Sequence, residues 1–95
     1  MNGQEISYLI TKRFFHVLDV LKMQRKIRGL HTFTSRYNLN YWNVSEVRKN
    51  PQSHCVKMEW LSFLVYDYNV SAEYLLCGTD KMFKDSPTIW PPKTP

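Results

Sequence analysis

The sequence is poor in the residues on which several classes of enzyme depend. It has three glycines and two cysteines in 95 residues, and it contains neither a Gly-rich phosphate loop nor a G-x-S-x-G sequence. Its histidines, His16, His31 and His54, do not fall at metal-ligand spacings, and its eight acidic residues are scattered. We therefore expect no enzymatic activity, no cofactor, no metal site and no small-molecule ligand.

Long hydrophobic runs are also missing. No stretch approaches the roughly 18 uninterrupted apolar residues that a membrane-spanning helix needs, and residues 1–5 lack the basic and apolar regions of a secretory signal. These absences predict a cytoplasmic protein without membrane contact. Cys55 and Cys77 are too far apart for a C-x-x-C motif, so we expect buried free thiols, with a disulfide or metal pair as the alternative.

Acidic residues are scarce in the first half of the chain. Residues 12–49 contain nine of the 13 basic residues but only two of the eight acidic ones, Asp19 and Glu46. The net charge of +5 therefore comes entirely from this half. Such asymmetry suits a polyanionic partner, because neutralised phosphates release their condensed counterions.

Hydrophobic periodicity predicts five helices, with no alternating strand pattern and no internal repeat. The predicted helices cover residues 5–26, 33–38, 41–49, 56–68 and 72–77. Thr32, Asn40 and Ser71 are the expected N-caps, and Gly29 and Gly78 are the expected C-terminal stops. The predicted core comprises Phe14, Leu18, Phe33, Tyr37, Leu39, Val44, Val47, Leu61, Leu64, Leu75 and Leu76.

The end of the chain has a different composition. Prolines 87, 91, 92 and 95 interrupt any regular pattern, which predicts an all-α domain over residues 1–84 and an extended Pro-rich tail over residues 85–95. We expect truncation after Lys84 to leave the unfolding free energy nearly unchanged, as thermal denaturation would show. A large loss of stability would instead mean that Ile89 and Trp90 pack against a folded surface.

The junction of the second and third predicted helices has the most specific pattern. Its apolar residues are separated by steps of four, two, five and three: Phe33, Tyr37, Leu39, Val44 and Val47. A single amphipathic helix gives steps of three and four, whereas two short helices joined by a tight turn give the observed steps. Asn38 suits that turn, because Asn tolerates a left-handed backbone. The pattern predicts a helix-turn-helix, whose second helix presents its outer face to the major groove.

On these residues the chain resembles the Cro/repressor-type helix-turn-helix family of phage-repressor-like regulators, over residues 13–78. The family usually has a small residue four positions before the turn glycine, often a serine at the start of the recognition helix, and often an acidic residue with glycine at its end. Here those places hold Thr34, Asn38, Asn40, Arg48 and Asn50. Asn38 and Asn40 are acceptable replacements, Thr34 is slightly larger than the usual alanine, and residues 48–51 depart from the acidic ending.

A second segment is similar to the same family. Residues 60–65 and 68–78 look like its last two helices, which commonly end in the phrase V-S-x-x-[WY]-L-L-x-G. The resemblance implies a five-helix, lambda-repressor-like DNA-binding domain. It also implies a sequence-specific transcriptional regulator whose third helix, residues 41–49, reads the major groove of double-stranded DNA.

The helix-turn-helix geometry predicts which residues contact DNA. The candidate base contacts are Tyr41, Trp42, Ser45 and Glu46. Trp42 suits a thymine methyl and Ser45 suits several base edges, whereas Glu46 can accept from a cytosine amine but is repelled by phosphates. The candidate phosphate contacts are Arg25, Lys26, Arg28, Arg36, Arg48 and Lys49. Tyr41 and Trp42 have an alternative role as aromatic cover for the core.

Two further expectations concern partners. A protein-interaction module that kept the helix-turn-helix scaffold but lost DNA binding is the alternative function, because exposed aromatics such as Trp42 dominate interface hot spots. A homodimer is also expected, since repressor-type domains pair two half-sites about 34 Å apart. Aromatics of the C-terminal half would supply the dimer contact, among them Tyr66, Tyr74, Phe83 and Trp90.

Overall fold

The computed structural model describes residues 1–79 and 81–85, and this part of the chain is all-helical, as predicted. The helices are α1 (Gly3–Met23), α2 (Leu30–Arg36), α3 (Tyr41–Lys49), α4 (Met58–Asp67) and α5 (Ala72–Cys77). They fall into two compact units, Met1–Val56 and the residues from Lys57 onward. Of the predicted tail, residues 86–95 lie outside the described residues. Within the described part, no helix combines the length and apolar character needed to cross a membrane.

Helix α1 ends three residues earlier than predicted because of a left-handed residue. Arg25 has φ 63°, and the N–H groups of Arg25 and Lys26 donate to carbonyls of the last turn of α1. Arg25 N donates to Lys22 O at 3.0 Å, and Lys26 N donates to Leu21 O at 3.0 Å. This is a Schellman motif, which satisfies carbonyls that the helix end would leave unpaired. Gly29 is therefore not the C-terminal stop of α1.

The first unit is built on the buried face of α1. Phe14, Val17 and Leu21 are fully buried there, and the Phe14 ring meets the Phe33 ring edge-on with centroids 5.6 Å apart. Phe33 belongs to α2, so this aromatic pair joins the first two helices. Edge-to-face pairs add about 0.5–1.5 kcal/mol beyond the burial of their area.

Helix α2 begins before the predicted N-cap. Gly29 occupies the N-cap position, and the hydroxyl of Thr32 instead accepts from Arg28 N at 3.1 Å. The prediction of Thr32 as a cap is therefore wrong, although its side chain does bind the backbone at this helix start. Thr34 is buried within α2, where its hydroxyl lies 3.2 Å from the carbonyls of Leu30 and His31.

The second unit contains α4 and α5. As predicted, Ser71 caps α5 by accepting from Tyr74 N at 3.2 Å, and Gly78 ends it with a left-handed φ of 75°. Beyond α5, Lys84 N donates to Asn69 O at 2.8 Å, and Lys84 Nζ donates to Val65 O at 3.0 Å. Partial burial lowers the pKa of the Lys84 ammonium from its usual value, because desolvation disfavours the charged form. The residues after α5 are thus fastened to α4.

Most of the predicted core is buried. Those buried as expected are Phe14, Leu18, Phe33, Val44, Val47, Leu64 and Leu75. Tyr37, Leu39 and Leu61 are half-buried. Leu76 was predicted wrongly and is 50% exposed, because it lies about 100° around α5 from the buried Leu75.

The cysteines also differ from expectation. Cys55 and Cys77 are free thiols, and both are exposed rather than buried. Cys55 lies in the loop before α4, and Cys77 is the last residue of α5. These positions at the ends of elements explain the exposure.

Candidate functional site

Helix α3 has the bounds and the cap that its sequence predicts. Asn40 Oδ1 accepts from Asn43 N at 3.0 Å, which satisfies one of the free N–H groups at the start of the helix. At the other end, Asn50 N donates to Glu46 O at 3.0 Å, and Pro51 follows. The bounds of this nine-residue helix therefore follow from its local sequence.

The turn between α2 and α3 depends on Asn38. Its φ of 54° confirms the predicted left-handed position. Asn38 N donates to Ser35 O at 3.3 Å, and Leu39 N donates to Thr34 O at 2.8 Å. This is the same Schellman arrangement that ends α1. It turns the chain within residues 37–40, and the two short helices pack against each other.

The two sides of α3 differ sharply in exposure. Val44 is 0% exposed and Val47 is 8% exposed, whereas Trp42 is 73% exposed. Asn43, Glu46 and Lys49 are also exposed. We call these four exposed residues, Trp42, Asn43, Glu46 and Lys49, the outer face of α3.

One predicted base contact does not lie on the outer face. Ser45 was expected to point outward, and this is wrong, since it is only 8% exposed. Successive residues of a helix are about 100° apart, which places Ser45 on the far side of the buried Val44 from Asn43. Ser45 therefore belongs to the packed side of α3 and cannot reach a base edge.

An aromatic cluster occupies the start of α3. The rings of His31 and Tyr41 are stacked, with centroids 3.7 Å apart and planes 1° apart. The Trp42 ring meets Tyr41 edge-on at 5.3 Å and 83°. Tyr41 is half-buried, so it links α2 to α3 and supports Trp42 rather than standing free. Sequence reasoning missed His31, because the stack depends on the angle between two helices.

Two candidate residues near the end of α3 have polar partners. Arg48 Nη2 forms an ion pair with Asp19 Oδ1 at 3.0 Å, and its guanidinium lies 5.9 Å from the Phe15 ring centroid. Arg48 is thus directed toward α1. Glu46 Oε1 accepts from Asn50 Nδ2 at 2.8 Å, which keeps its carboxylate at the C-terminal end of the outer face.

The other predicted phosphate contacts lie at three places in the first unit. Arg25, Lys26 and Arg28 are exposed in the segment between α1 and α2. Arg36 is exposed at the end of α2, with its guanidinium 5.5 Å from the Tyr37 ring centroid. Lys49 is exposed on the outer face of α3. These candidates therefore lie at the two ends of α2 and at the end of α3.

Asn43 is a site residue that the sequence-based choice of contacts omitted. It is exposed beside Trp42, one turn before Glu46 and Val47. The spacing alone did not mark it, because Asn43 lies one turn before the buried Val47 and so at the edge of the outer face. The cap geometry hides this role, since Asn43 also supplies the N–H that Asn40 binds.

The second unit carries a separate apolar groove between α4 and α5. It has a volume of about 310 Å³. Met58, Leu61, Val65 and Leu76 are among its lining residues. Of the aromatics expected to support a homodimer, Tyr66, Tyr74 and Phe83 are half-buried, and Trp90 lies outside the described residues.

No potential metal-binding cluster of three His, Cys, Asp or Glu side chains occurs among residues 1–79 and 81–85. The outer face offers groups for hydrogen bonding, aromatic contact and charge. Compared with protein-family models, with curated proteins and with solved structures, the chain has no match.

Proposed function

We propose that the chain is a sequence-specific DNA-binding transcriptional regulator of the lambda-repressor-like type, with α2 and α3 as its helix-turn-helix. One observation carries the proposal: α3 follows a left-handed turn at Asn38, buries Val44 and Val47, and exposes Trp42 on the opposite side. A helix held in this way presents side chains that can enter a major groove about 12 Å wide.

The distribution of charge supports a nucleic-acid partner. Arg25, Lys26 and Arg28 are exposed immediately before α2, and Lys49 is exposed at the end of α3. Basic side chains around a recognition helix bind phosphates and set its register on the duplex. Their contribution is independent of sequence and weakens as salt increases.

The outer face of α3 supplies groups that distinguish bases. The Trp42 indole suits a thymine methyl, and the Glu46 carboxylate can accept from a cytosine amine. Tyr41 contributes by supporting Trp42 through their edge-on contact. Phosphate binding thus provides affinity in this proposal, and the outer face provides sequence preference.

A binding-site selection with random duplex DNA tests the proposal directly. We expect one enriched sequence, which fluorescence anisotropy should show to bind more tightly than a scrambled duplex at both 50 and 200 mM salt. Affinity should fall between these two salt concentrations by on the order of 10³-fold, as expected for about six phosphate contacts. Absence of binding at low salt would overturn the proposal.

Replacing Arg28 with Ala should weaken binding to selected and scrambled duplexes alike. The reason is that a phosphate contact carries no sequence information. The slope of log K against log salt should become shallower by about one. Lys57→Ala is the matched control, because Lys57 is an exposed basic residue outside residues 12–49. An unchanged slope for Arg28→Ala would remove Arg28 from the interface.

The protein-interaction module remains the second candidate, and the composition of the outer face favours it. Trp42 is 73% exposed, and Glu46 places an acidic group on the same face. Large aromatics of this kind anchor protein interfaces, and an acid opposes phosphate binding. If the chain binds no duplex even at low salt, the outer face of α3 becomes the proposed contact surface for a protein partner.

A further inference from the structure

On the outer face of α3, the side chain of Asn43 has no hydrogen-bonding role in the described part of the fold. The residue is exposed, and its backbone N–H is already bound by Asn40 Oδ1 at 3.0 Å. Within residues 1–79 and 81–85, its carboxamide forms no hydrogen bond. The donor and the acceptor of this side chain therefore face solvent together.

The other asparagines of the described chain are each used by the fold. Asn2 and Asn40 cap α1 and α3, and Asn50 donates to Glu46. Asn38 and Asn69 adopt left-handed backbone conformations. Asn43, in contrast, is the third residue of α3, and its side chain has none of these roles. Stability does not explain its presence, which points to a role in binding.

The chemistry of a carboxamide matches one base in the major groove. A carboxamide offers a donor and an acceptor side by side, and adenine presents the complementary pair, the N7 acceptor and the N6 amino donor. Guanine presents two acceptors, cytosine a donor, and thymine an acceptor with a methyl group. A bidentate bond from Asn43 thus distinguishes adenine from the other three bases.

We infer that Asn43 is a specificity-determining residue that reads an adenine, with Trp42 contacting the methyl group of a thymine beside it. The inference rests on the proposed DNA-binding function and names the sequence class that the site recognises. Trp42 and Asn43 are adjacent in α3 and both exposed, so they can address neighbouring base pairs. Glu46 cannot replace Asn43, because a carboxylate only accepts hydrogen bonds.

The test compares selected sequences for the parent and two variants. The parent should select an adenine at one fixed position, with a thymine next to the A·T pair. Asn43→Ala should lose the preference at that position alone, with binding to the parental site weakened about 5- to 150-fold, the range expected for a bidentate contact. Asn43→Asp should shift the preference from adenine to cytosine, because a carboxylate accepts from the cytosine amine.

Modified duplexes then assign the contact to atoms. Replacing the selected adenine with 7-deazaadenine should weaken binding of the parent but not of Asn43→Ala, and replacing the neighbouring thymine with uracil should weaken binding of the parent but not of Trp42→Ala. Circular dichroism should show parental helix content in every variant. If the parent binds a selected site and Asn43→Ala selects that site unchanged, this inference is wrong while the proposed function stands. Absence of any duplex binding would overturn both.

Discussion

Replacing Val47 with Asp is expected to lower the free energy of unfolding of the first unit by more than about 4 kcal/mol. Substitutions that bury an unpaired charge are among those with effects this large. Val47 is 8% exposed and lies on the packed side of α3 beside the fully buried Val44. A carboxylate there would lose its hydration without gaining a partner. Because small domains unfold at a cost of about 5–15 kcal/mol, thermal or urea denaturation followed by circular dichroism should show a large shift.

Asn43→Asp is the matched control for this substitution. It adds the same charge to the same helix at an exposed position, near the N-terminus, where acids interact favourably with the helix dipole. We expect its melting curve to stay close to that of the parent. An unshifted curve for Val47→Asp would mean that the packed side of α3 is assigned incorrectly, and the helix-turn-helix register would have to be abandoned.

Replacing Trp42 with Ala should cost about 1–3 kcal/mol of binding free energy on the preferred duplex and little on random duplex. Trp42 is exposed, and its contact among the described aromatic pairs is with Tyr41, edge-on at 5.3 Å. Its loss should therefore leave folding nearly unchanged. Fluorescence anisotropy on selected and scrambled duplexes, together with thermal denaturation, measures both effects.

Tyr8→Ala provides the comparison for this variant. Tyr8 is an exposed aromatic on α1, away in sequence from the outer face of α3, and its replacement should leave the preference for the selected duplex intact. If Trp42→Ala binds selected and scrambled duplexes like the parent, Trp42 is not a base contact. Destabilisation of Trp42→Ala would instead favour its alternative role as cover for the core.

The local sequence was sufficient to predict α3 and its turn. Asn40 and Pro51 bracket the helix, and the apolar steps from Phe33 to Val47 identify its packed side. These signals are short-range, since a cap and a hydrophobic period each depend on residues within one or two turns. The start and end of α5, at Ser71 and Gly78, were predicted for the same reason.

The structure differs from the prediction where the backbone conformation or the burial of a residue does not follow from its residue type. Arg25 takes a left-handed φ that is usual for Gly or Asn, so the end of α1 was placed too late. Ser45 is polar and was expected to be external, but it is buried on the side of α3 from which Arg48 pairs with Asp19 of α1. Such errors need the helix axes and their packing, which a sequence pattern does not contain.

The candidate contacts show the same limit. Angle along the helix does not separate Asn43 from Ser45, because each lies about 100° from the buried Val44, yet Ser45 is buried and Asn43 is exposed. The stacking of His31 on Tyr41, with centroids 3.7 Å apart, depends on how α2 crosses α3. The ion pair of Arg48 with Asp19 joins residues 29 positions apart. Contacts of this kind follow from the tertiary structure.

Both ends of α3 are fastened to other helices, and this has a kinetic consequence. At its start Tyr41 stacks on His31 of α2, and at its end Arg48 pairs with Asp19 of α1. A helix held at both ends needs no rearrangement before it meets a partner, so encounter should be governed by diffusion and orientation. Association of rigid patches proceeds at about 10⁵–10⁷ M⁻¹s⁻¹, and electrostatic steering raises the rate further. Variants of the outer face should therefore differ mainly in the dissociation rate of the complex.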